Sequence, residues 1–229
     1  MPSSLPSWVG RGRIPLWIKV IYSLFVCVLV PVYWQHHGPA NFLWASDIAL
    51  FLVGLALWSE RPLLSSMMAI GVLPFEIVWS IDFLSGARLL GVASYMFDEE
   101  RPVYLRGLSL FHLFLPLIIF FLLHRIGYDR RALAAQTLLT WIVLPVTYFV
   151  TDPEANINLV FGWGREPQTL MHPLLYLGLE MILLPVALCW PAHRVLGSRF
   201  GRPGTGGMPS TRDGPPTRRR RGSSHTPVP

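Results

Sequence analysis

The residues of this chain that could do chemistry lie inside its apolar segments. Ser46, Asp47 and His112 each stand within or at the edge of a long run of apolar residues. A serine hydroxyl becomes a nucleophile only beside a base, which a histidine can supply and a carboxylate can orient. Ser46 is therefore the candidate nucleophile and His112 the candidate base, with Asp47 or Asp82 as the orienting acid.

Further polar side chains share these apolar surroundings. An ionisable group at the centre of a bilayer costs roughly 2.5 kcal/mol or more, so it is a functional candidate by default. At about 1.5 Å per helical residue, these groups lie in the outer half of the membrane or at its midplane. We expect one polar cavity open to the outside, with Asn156, Asn158 or Tyr148 able to stabilise an oxyanion. Its candidate lining residues are Glu76, Asp82, Tyr148, Asn156, Asn158 and Glu180.

Each candidate also has a plainer interpretation. A single histidine such as His112 in an apolar helix is often a structural hydrogen-bonding residue, and Asp47 could pair with it. Glu76 and Asp82 are six positions apart and do not share a helix face, so they are not a paired-carboxylate motif. Glu180 could be a protonated or paired structural acid. No metal site and no cofactor is predicted.

The composition around these residues is that of an integral membrane protein. The chain is 52% hydrophobic and 14% charged, whereas soluble proteins average about 25% charged residues. This composition excludes a DNA-binding module, a disulfide scaffold and disorder over most of the chain. A span needs about 20 apolar residues, and the runs are continuous rather than alternating, which predicts helices and not barrel strands. The predicted all-α bundle has six transmembrane helices, at 14–34, 42–58, 64–84, 105–123, 132–150 and 170–196.

Prolines and arginines add detail to this bundle. Pro74, Pro116 and Pro185 lie near the centres of their spans and should kink them. With the N-terminus inside, the inner segments hold 14 arginines and the outer loops hold four. By the positive-inside rule both termini are cytoplasmic, including residues 1–13, and the arrangement suits a bacterial cytoplasmic membrane.

The C-terminal tail, 197–229, carries the net charge of +6, because it holds seven arginines and one aspartate while the rest is neutral. The basic balance therefore describes a tail and not a nucleic-acid-binding surface. Its Gly- and Pro-rich composition predicts disorder. Two interpretations of its arginine run stay open: a solvated charge block, or contact with anionic lipid headgroups of the bilayer. The run consists of Arg218, Arg219, Arg220 and Arg221.

Three segments carry a resemblance to known proteins. They are residues 41–50 (NFLWASDIAL), residues 108–112 (LSLFH) and residues 152–158 (DPEANIN). Together they resemble uncharacterised bacterial multi-span proteins and, more distantly, the YwaF-type integral membrane family. Relatives of that family include membrane-embedded acyltransferases and lipid hydrolases. The resemblance implies a nucleophile at Ser46, where those relatives have Cys or Thr, and a base at His112.

Three functions remain open at this point. The first is a membrane-embedded lipid hydrolase or acyltransferase that uses Ser46 and His112. The second is a small transporter whose buried acids bind a proton or a cationic solute, which needs a continuous path inward. The third is a structural or assembly protein whose polar residues lock helices together.

Overall fold

The computed structural model describes residues 13–164 and 167–200, and all regular structure in these two ranges is helical. The prediction of helices rather than barrel strands is confirmed. The arginine run Arg218–Arg221 and nearly all of the N-terminal segment lie outside the described residues, so those predictions stay predictions.

Nine α-helices follow one another along the described chain. Short 3₁₀ turns at Pro39–Leu43, Ser94–Phe97 and Ile157–Leu159 lie in the connections, and a π-helical segment, Leu184–Cys189, joins the last two helices. The helices are α1 Leu16–His37, α2 Ala45–Ser59, α3 Pro62–Gly71, α4 Leu73–Leu84, α5 Val103–Ser109, α6 Phe111–Ile126, α7 Ala132–Val150, α8 Pro173–Leu183 and α9 Trp190–Phe200.

Four stretches are long and apolar enough to cross a membrane, as in an integral membrane protein. They are α1, the continuous α5–α6, α7, and the continuous α8–α9. The pair α3–α4 makes a fifth if the two bent helices count as one span. Helix α2 has 15 residues, which extend about 22 Å and fall short of a hydrocarbon core of about 30 Å.

The three central prolines affect their helices differently. Between α3 and α4 the chain bends by 54° at Val72, two residues before Pro74. Proline clashes with the preceding turn, so the break lies on its N-terminal side. Pro116 lies inside α6 without ending it, and Pro185 lies in the π-helical segment.

Polar contacts fasten each end of the bundle. At one end, called here the Glu60 end, Lys19 Nζ donates to Glu60 Oε1 at 2.7 Å and the backbone N–H of Ile14 donates to the same oxygen at 3.2 Å. The hydrogen bond from Lys19 lowers the pKa of the Glu60 carboxyl. At the other end, called here the Asn158 end, Asn158 Oδ1 accepts from Ala45 N at 2.8 Å, and His36 Nε2 is hydrogen-bonded to the Tyr104 hydroxyl.

Candidate functional site

A buried carboxylate–imidazole pair joins α4 to α6. His112 Nδ1 lies 2.7 Å from Glu76 Oε2, and the side chains are 14% and 3% exposed. A charged or polar side chain buried in an apolar bundle needs a polar partner, because no water is present to hydrogen-bond to it. With the hydrogen on Nδ1, His112 donates this bond to the Glu76 carboxylate, and the other ring nitrogen, Nε2, is left to act as acceptor or proton carrier.

Two aromatic rings enclose this imidazole. The indole of Trp79 stacks on it with the ring centres 4.5 Å apart, and Phe111 stacks at 4.1 Å. Ser80 Oγ donates to the backbone carbonyl of His112 at 3.2 Å. Glu76, Trp79 and Ser80 follow the i, i+3, i+4 spacing of one helix face, so a single face of α4 holds His112.

Asp47 is a second buried acid near this pair. It lies in the first turn of α2 and, like Glu76, is almost completely buried. The two carboxyl groups are near enough to interact electrostatically. Within the described residues, Asp47 Oδ1 has no hydrogen-bond partner. A buried acceptor without a donor costs free energy of folding. A proton or a hydrogen-bonding ligand that binds this oxygen would remove that cost.

Tyrosines surround the cluster from α1 and from the loop before α5. Tyr22 donates to the carbonyl of Leu50 at 2.7 Å, and the hydroxyls of Tyr33 and Ser109 lie 2.8 Å apart. Tyr22 interacts electrostatically with Glu76, and Tyr33 with Asp47. Burial raises the pKa of Tyr95, which keeps this neighbour of Glu76 neutral and able to donate.

Ser46 lies in the first turn of α2 beside Asp47 and is half-buried. No hydrogen bond of the described chain joins Ser46 to His112. The acid bonded to His112 is Glu76, which the sequence analysis placed only among the cavity candidates. The structure therefore brings together His112 and Glu76, and the roles of Ser46 as nucleophile and His112 as base stay predictions.

Asp82 is fully buried, and the loop that follows α4 wraps around its carboxylate. Oδ1 accepts the backbone N–H groups of Leu89, Leu90 and Gly91 at 3.2, 2.8 and 3.3 Å, and Oδ2 accepts that of Ala93 at 2.9 Å. Four donors fill the acceptor positions of a carboxylate. This acid organises the loop at its own end of α4.

The two asparagines organise the loop between α7 and α8. Asn156 donates to the carbonyls of Gly162 and Gly164 and accepts from Phe161 N. Asn158 caps α2 through Ala45 N and donates to the carbonyl of Leu43 at 2.8 Å. Both have left-handed backbones, with φ of 39° and 57°, which asparagine tolerates better than most residues. Their amides are occupied by main-chain partners.

Within the described residues, no hydrogen bond joins Tyr148 or Glu180 to the carboxylate–imidazole pair. Tyr148 stacks on Phe161 at 4.9 Å and packs on the small cluster of Leu144, Val160, Phe161 and Leu177. Glu180, on α8, is half-buried, and its Oε2 has no partner within the described residues. The cavity shared by all of these acids stays a prediction.

Sequence reasoning missed Trp79 and Gln136. Trp79 could have been found from its spacing of three residues from Glu76. Gln136 begins a series of polar residues on one face of α7, continued by Thr140, Thr147 and Thr151, all buried. Polar residues of membrane helices typically face the bundle interior, and spacings of four, seven and four residues, which keep these positions on one helix face, are readable from sequence.

A groove of about 450 Å³ runs along the outside of the bundle and is not part of this cluster. It is apolar and contains no candidate site residue; its lining residues are Leu133, Thr137, Pro185, Val186 and Trp190.

Neither a metal-binding cluster nor a similar protein identifies the function of this site. In the described part of the chain, no group of three or more His, Cys, Asp or Glu side chains is placed to hold a metal ion. No family model, no curated protein and no solved structure matches the chain. Asp47, Glu76 and His112 are the buried ionisable groups that this site brings together.

Proposed function

We propose that this protein is a small transporter of the bacterial cytoplasmic membrane that binds and relays a proton at Asp47, Glu76 and His112. A cationic solute could occupy the same acidic site. The proposal includes six membrane crossings, with α2 as a short second span and α3–α4 as one broken span. Both termini are then cytoplasmic, and the Asn158 end faces outward.

The observation that carries the proposal is the 2.7 Å contact between His112 Nδ1 and Glu76 Oε2 in a buried position. Chains of carboxyl and imidazole groups inside a membrane are typical of proton relays, because each group can take up and release a proton. Asp47, with an oxygen that lacks a partner, supplies a third position for the proton. The broken helix beside Glu76 adds support, since binding sites of transporters commonly lie at interrupted helices.

The proton transfer can be written with its balance. A proton from the Asn158 end binds Nε2 of neutral His112 and gives an imidazolium paired with the Glu76 carboxylate. The Nδ1 proton then passes to Glu76 Oε2, which leaves a neutral imidazole with its proton on Nε2. Glu76 passes its proton to Asp47 or to water at the helix break. The pair resets when the imidazole ring turns, so that Nε2–H faces the Glu76 carboxylate and the deprotonated Nδ1 faces the Asn158 end, where it accepts the next proton.

Proton flux into vesicles tests this function. The full chain is reconstituted into vesicles that contain a pH-sensitive dye, and a potassium gradient with valinomycin supplies the driving force. We expect flux above that of protein-free vesicles, and a drop of about tenfold or more in Glu76→Gln and His112→Gln, because each removes one proton position. Asp98→Asn, which removes an exposed loop carboxyl, should keep the rate. Equal flux in all four proteins, or none in the unaltered chain, would contradict the proposal.

The hydrolase interpretation remains a second candidate because of one feature of the same pair. A carboxylate bonded to Nδ1 is how serine hydrolases orient their base, and the resemblance to the YwaF-type family implies Ser46 as the nucleophile. A lipid ester would then be the substrate. Labelling with a fluorophosphonate probe that is lost in both Ser46→Ala and His112→Ala would favour the hydrolase. Absence of labelling in the folded, unaltered protein would remove it.

The bilayer is the partner implied by this function, and the arginine run Arg218–Arg221 is proposed to contact anionic headgroups on the cytoplasmic side. The test measures binding of the detergent-solubilised full chain to vesicles with and without anionic lipid. The same binding is measured for a variant that has Gln at these four positions.

A further inference from the structure

We propose that the interface between α3 and α7 is the inner half of the proton path, and that Gln136 is its central residue. This inference rests on the proposed function and deepens it, because it names the route by which a proton reaches the Glu60 end from Glu76. The juxtaposition that carries it is Gln136 of α7 against Gly71, the last residue of α3 before the helix break.

The buried face of α7 is polar along its first half. Gln136 is 6% exposed and Thr140 is 9% exposed, and Gln136 Nε2 donates to Thr140 Oγ1 at 3.4 Å. Within the described residues, Gln136 Oε1 has no partner. An amide oxygen without a donor in a buried site is costly unless a water molecule or a transferred proton species reaches it.

Gly71 brings the amide of Gln136 to the helix break. A Cβ atom at Gly71 would lie 2.8 Å from Gln136 Cγ and closer still to its amide group, so only glycine leaves room for it. Because Pro74 has no N–H, α4 supplies no i+4 donor to the carbonyl of Ile70. Two acceptors, the Ile70 carbonyl and Gln136 Oε1, therefore lie near the break, which is four residues, or about 6 Å of helix, before Glu76.

Serines continue the polar surface toward the Glu60 end. Ser65 and Ser66 on α3 are both fully buried. Ser66 Oγ accepts the backbone N–H of Asp129, in the connection before α7, at 2.9 Å. Asp129 is itself bonded to Arg131, which lowers the pKa of the Asp129 carboxyl and keeps it charged. Hydrogen-bonding groups thus lie at the connection before α7 and at the break beside Glu76, and the apolar segment Met67–Ile70 of α3 lies between them.

Beyond Thr140, toward the Asn158 end, an apolar residue interrupts the polar face of α7. Leu144 is 3% exposed and separates Thr140 from Thr147. Thr147 Oγ1 accepts from Asn158, so this hydroxyl belongs to the loop contacts of the Asn158 end. A path along α7 therefore does not continue past Leu144, and the polar groups lead instead to the break and to Glu76.

Helix adhesion alone does not account for the free acceptor of Gln136. Polar residues that hold membrane helices together do so by hydrogen bonds from one helix to the next. The hydrogen bond of Gln136 is made within α7, and its free acceptor is turned toward no donor of the described chain. On the α3 side, Ser65 and Ser66 both donate to the carbonyl of Pro62, and Ser66 also makes the contact with Asp129.

Two readouts separate this inference from the proposed function. The first is proton flux in the vesicle assay. The second is the fluorescence of Trp79, which stacks on His112 and is quenched when the imidazole is protonated. The signal of Trp79 is obtained as the difference between each protein and its Trp79→Phe counterpart. The titratable groups that interact with Glu76 are Asp47, Tyr22 and Tyr95, and Tyr33 interacts with Asp47 in turn.

The test compares Gln136→Leu with Thr137→Val in the full chain. Thr137 is one position along on the same helix but lines the apolar outer groove. We expect Gln136→Leu to keep the pH-dependent Trp79 signal and to lower flux by about tenfold or more, while Thr137→Val changes neither. If Gln136→Leu does not fold, Thr140→Val tests the same path with an isosteric change and should lower flux several-fold.

Each outcome has a definite meaning. Unchanged flux in Gln136→Leu, or in Thr140→Val where the first variant does not fold, overturns the path through α3 and α7 and leaves the site intact. Loss of the Trp79 signal together with flux in the variant also overturns it, since Gln136 would then support the site and not a path. A missing signal or missing flux in the unaltered protein overturns the proposed function, and the path with it.

Discussion

At the scale of single residues, the acids of this chain have different surroundings and therefore different roles. Asp82 accepts four backbone N–H groups, Glu76 is paired with His112, and Asp47 has an oxygen without a partner in the described chain. A carboxylate whose acceptors are filled is structural, whereas one with a titratable neighbour or an empty position can exchange a proton. Sequence reasoning grouped them together because burial alone does not reveal a partner.

Asp82→Asn tests the structural role of the first acid. The side-chain amide of asparagine has an NH₂ group in place of one acceptor oxygen. This donor would face backbone N–H groups and could not hydrogen-bond to them, so the loop 89–93 would lose contacts. We expect trypsin to cleave after the exposed Arg88 about tenfold faster in this variant, because local opening of the loop becomes easier. Asp98→Asn should be cleaved as the unaltered protein is. Equal cleavage rates for Asp82→Asn and the unaltered protein would show that the loop does not depend on this carboxylate.

Glu60 supplies a prediction that depends on pH. Its pKa is lowered in the fold by the hydrogen bond from Lys19, so the unfolded chain binds this proton more readily. The stabilisation is therefore fully present above the unfolded pKa of about 4.3 and is lost as the pH falls through the lower folded value. In detergent, Glu60→Gln should unfold about 1–3 °C below the unaltered chain at pH 7.

The difference caused by Glu60→Gln should vanish in acid, where the carboxyl is protonated in both states. Glu99→Gln, which alters an exposed loop carboxyl, serves as the control and should show no difference at either pH. A difference in unfolding temperature that persists unchanged at low pH would mean that Glu60 stabilises the fold by packing and not by charge.

At the scale of helices, hydropathy predicts that each segment is helical but not how it is interrupted. The run 64–84 reads as one span, yet it is two helices bent by 54° at Val72. Pro74 was predicted to kink it, and the position of the bend follows from the clash of proline with the turn before it. The contact of Gln136 with Gly71 could not be predicted, because it joins residues 65 positions apart through packing of α3 on α7.

Gly71→Ala tests that contact. The added methyl group would overlap the side chain of Gln136, and overpacking of this kind costs about 1–3 kcal/mol. We expect thermal unfolding in detergent at a lower temperature than for the unaltered chain. The double variant Gly71→Ala with Gln136→Ala should recover most of the loss, because the two positions are coupled.

Gly178→Ala is the matched control for this helix prediction. Gly178 lies inside α8 with no atom within 4 Å of an added Cβ, so alanine should be neutral or slightly stabilising. A loss in Gly71→Ala that the second substitution fails to recover would show that Gln136 is not the residue in contact.

At the scale of the whole molecule, the arginine distribution and the contacts of the two ends address different questions. The contacts establish which connections share an end, since Lys19 and Glu60 meet at one and Asn158 and Ala45 at the other. The contacts do not say which end faces the cytoplasm. That orientation rests on 14 arginines against four and on the positive-inside rule.

Labelling of single cysteines tests the orientation. Cys27 and Cys189 are first replaced by alanine, and then Asp98→Cys or Arg130→Cys is introduced at the two exposed loops. In intact bacterial cells a membrane-impermeant maleimide should label Asp98→Cys at once and Arg130→Cys only after the membrane is opened. The reverse pattern would invert the bundle, and labelling of both in intact cells would contradict the predicted number of spans between them.

The central claim is that the buried pair of Glu76 and His112 takes up a proton, and Trp79 reports on it most directly. The measurement is a pH titration of the Trp79 difference fluorescence in the reconstituted full chain. The account predicts a reversible change that follows protonation of His112, is absent in His112→Phe and is retained in Asp98→Asn. A Trp79 signal that does not change with pH in the unaltered protein, or one that changes equally in His112→Phe, would contradict it.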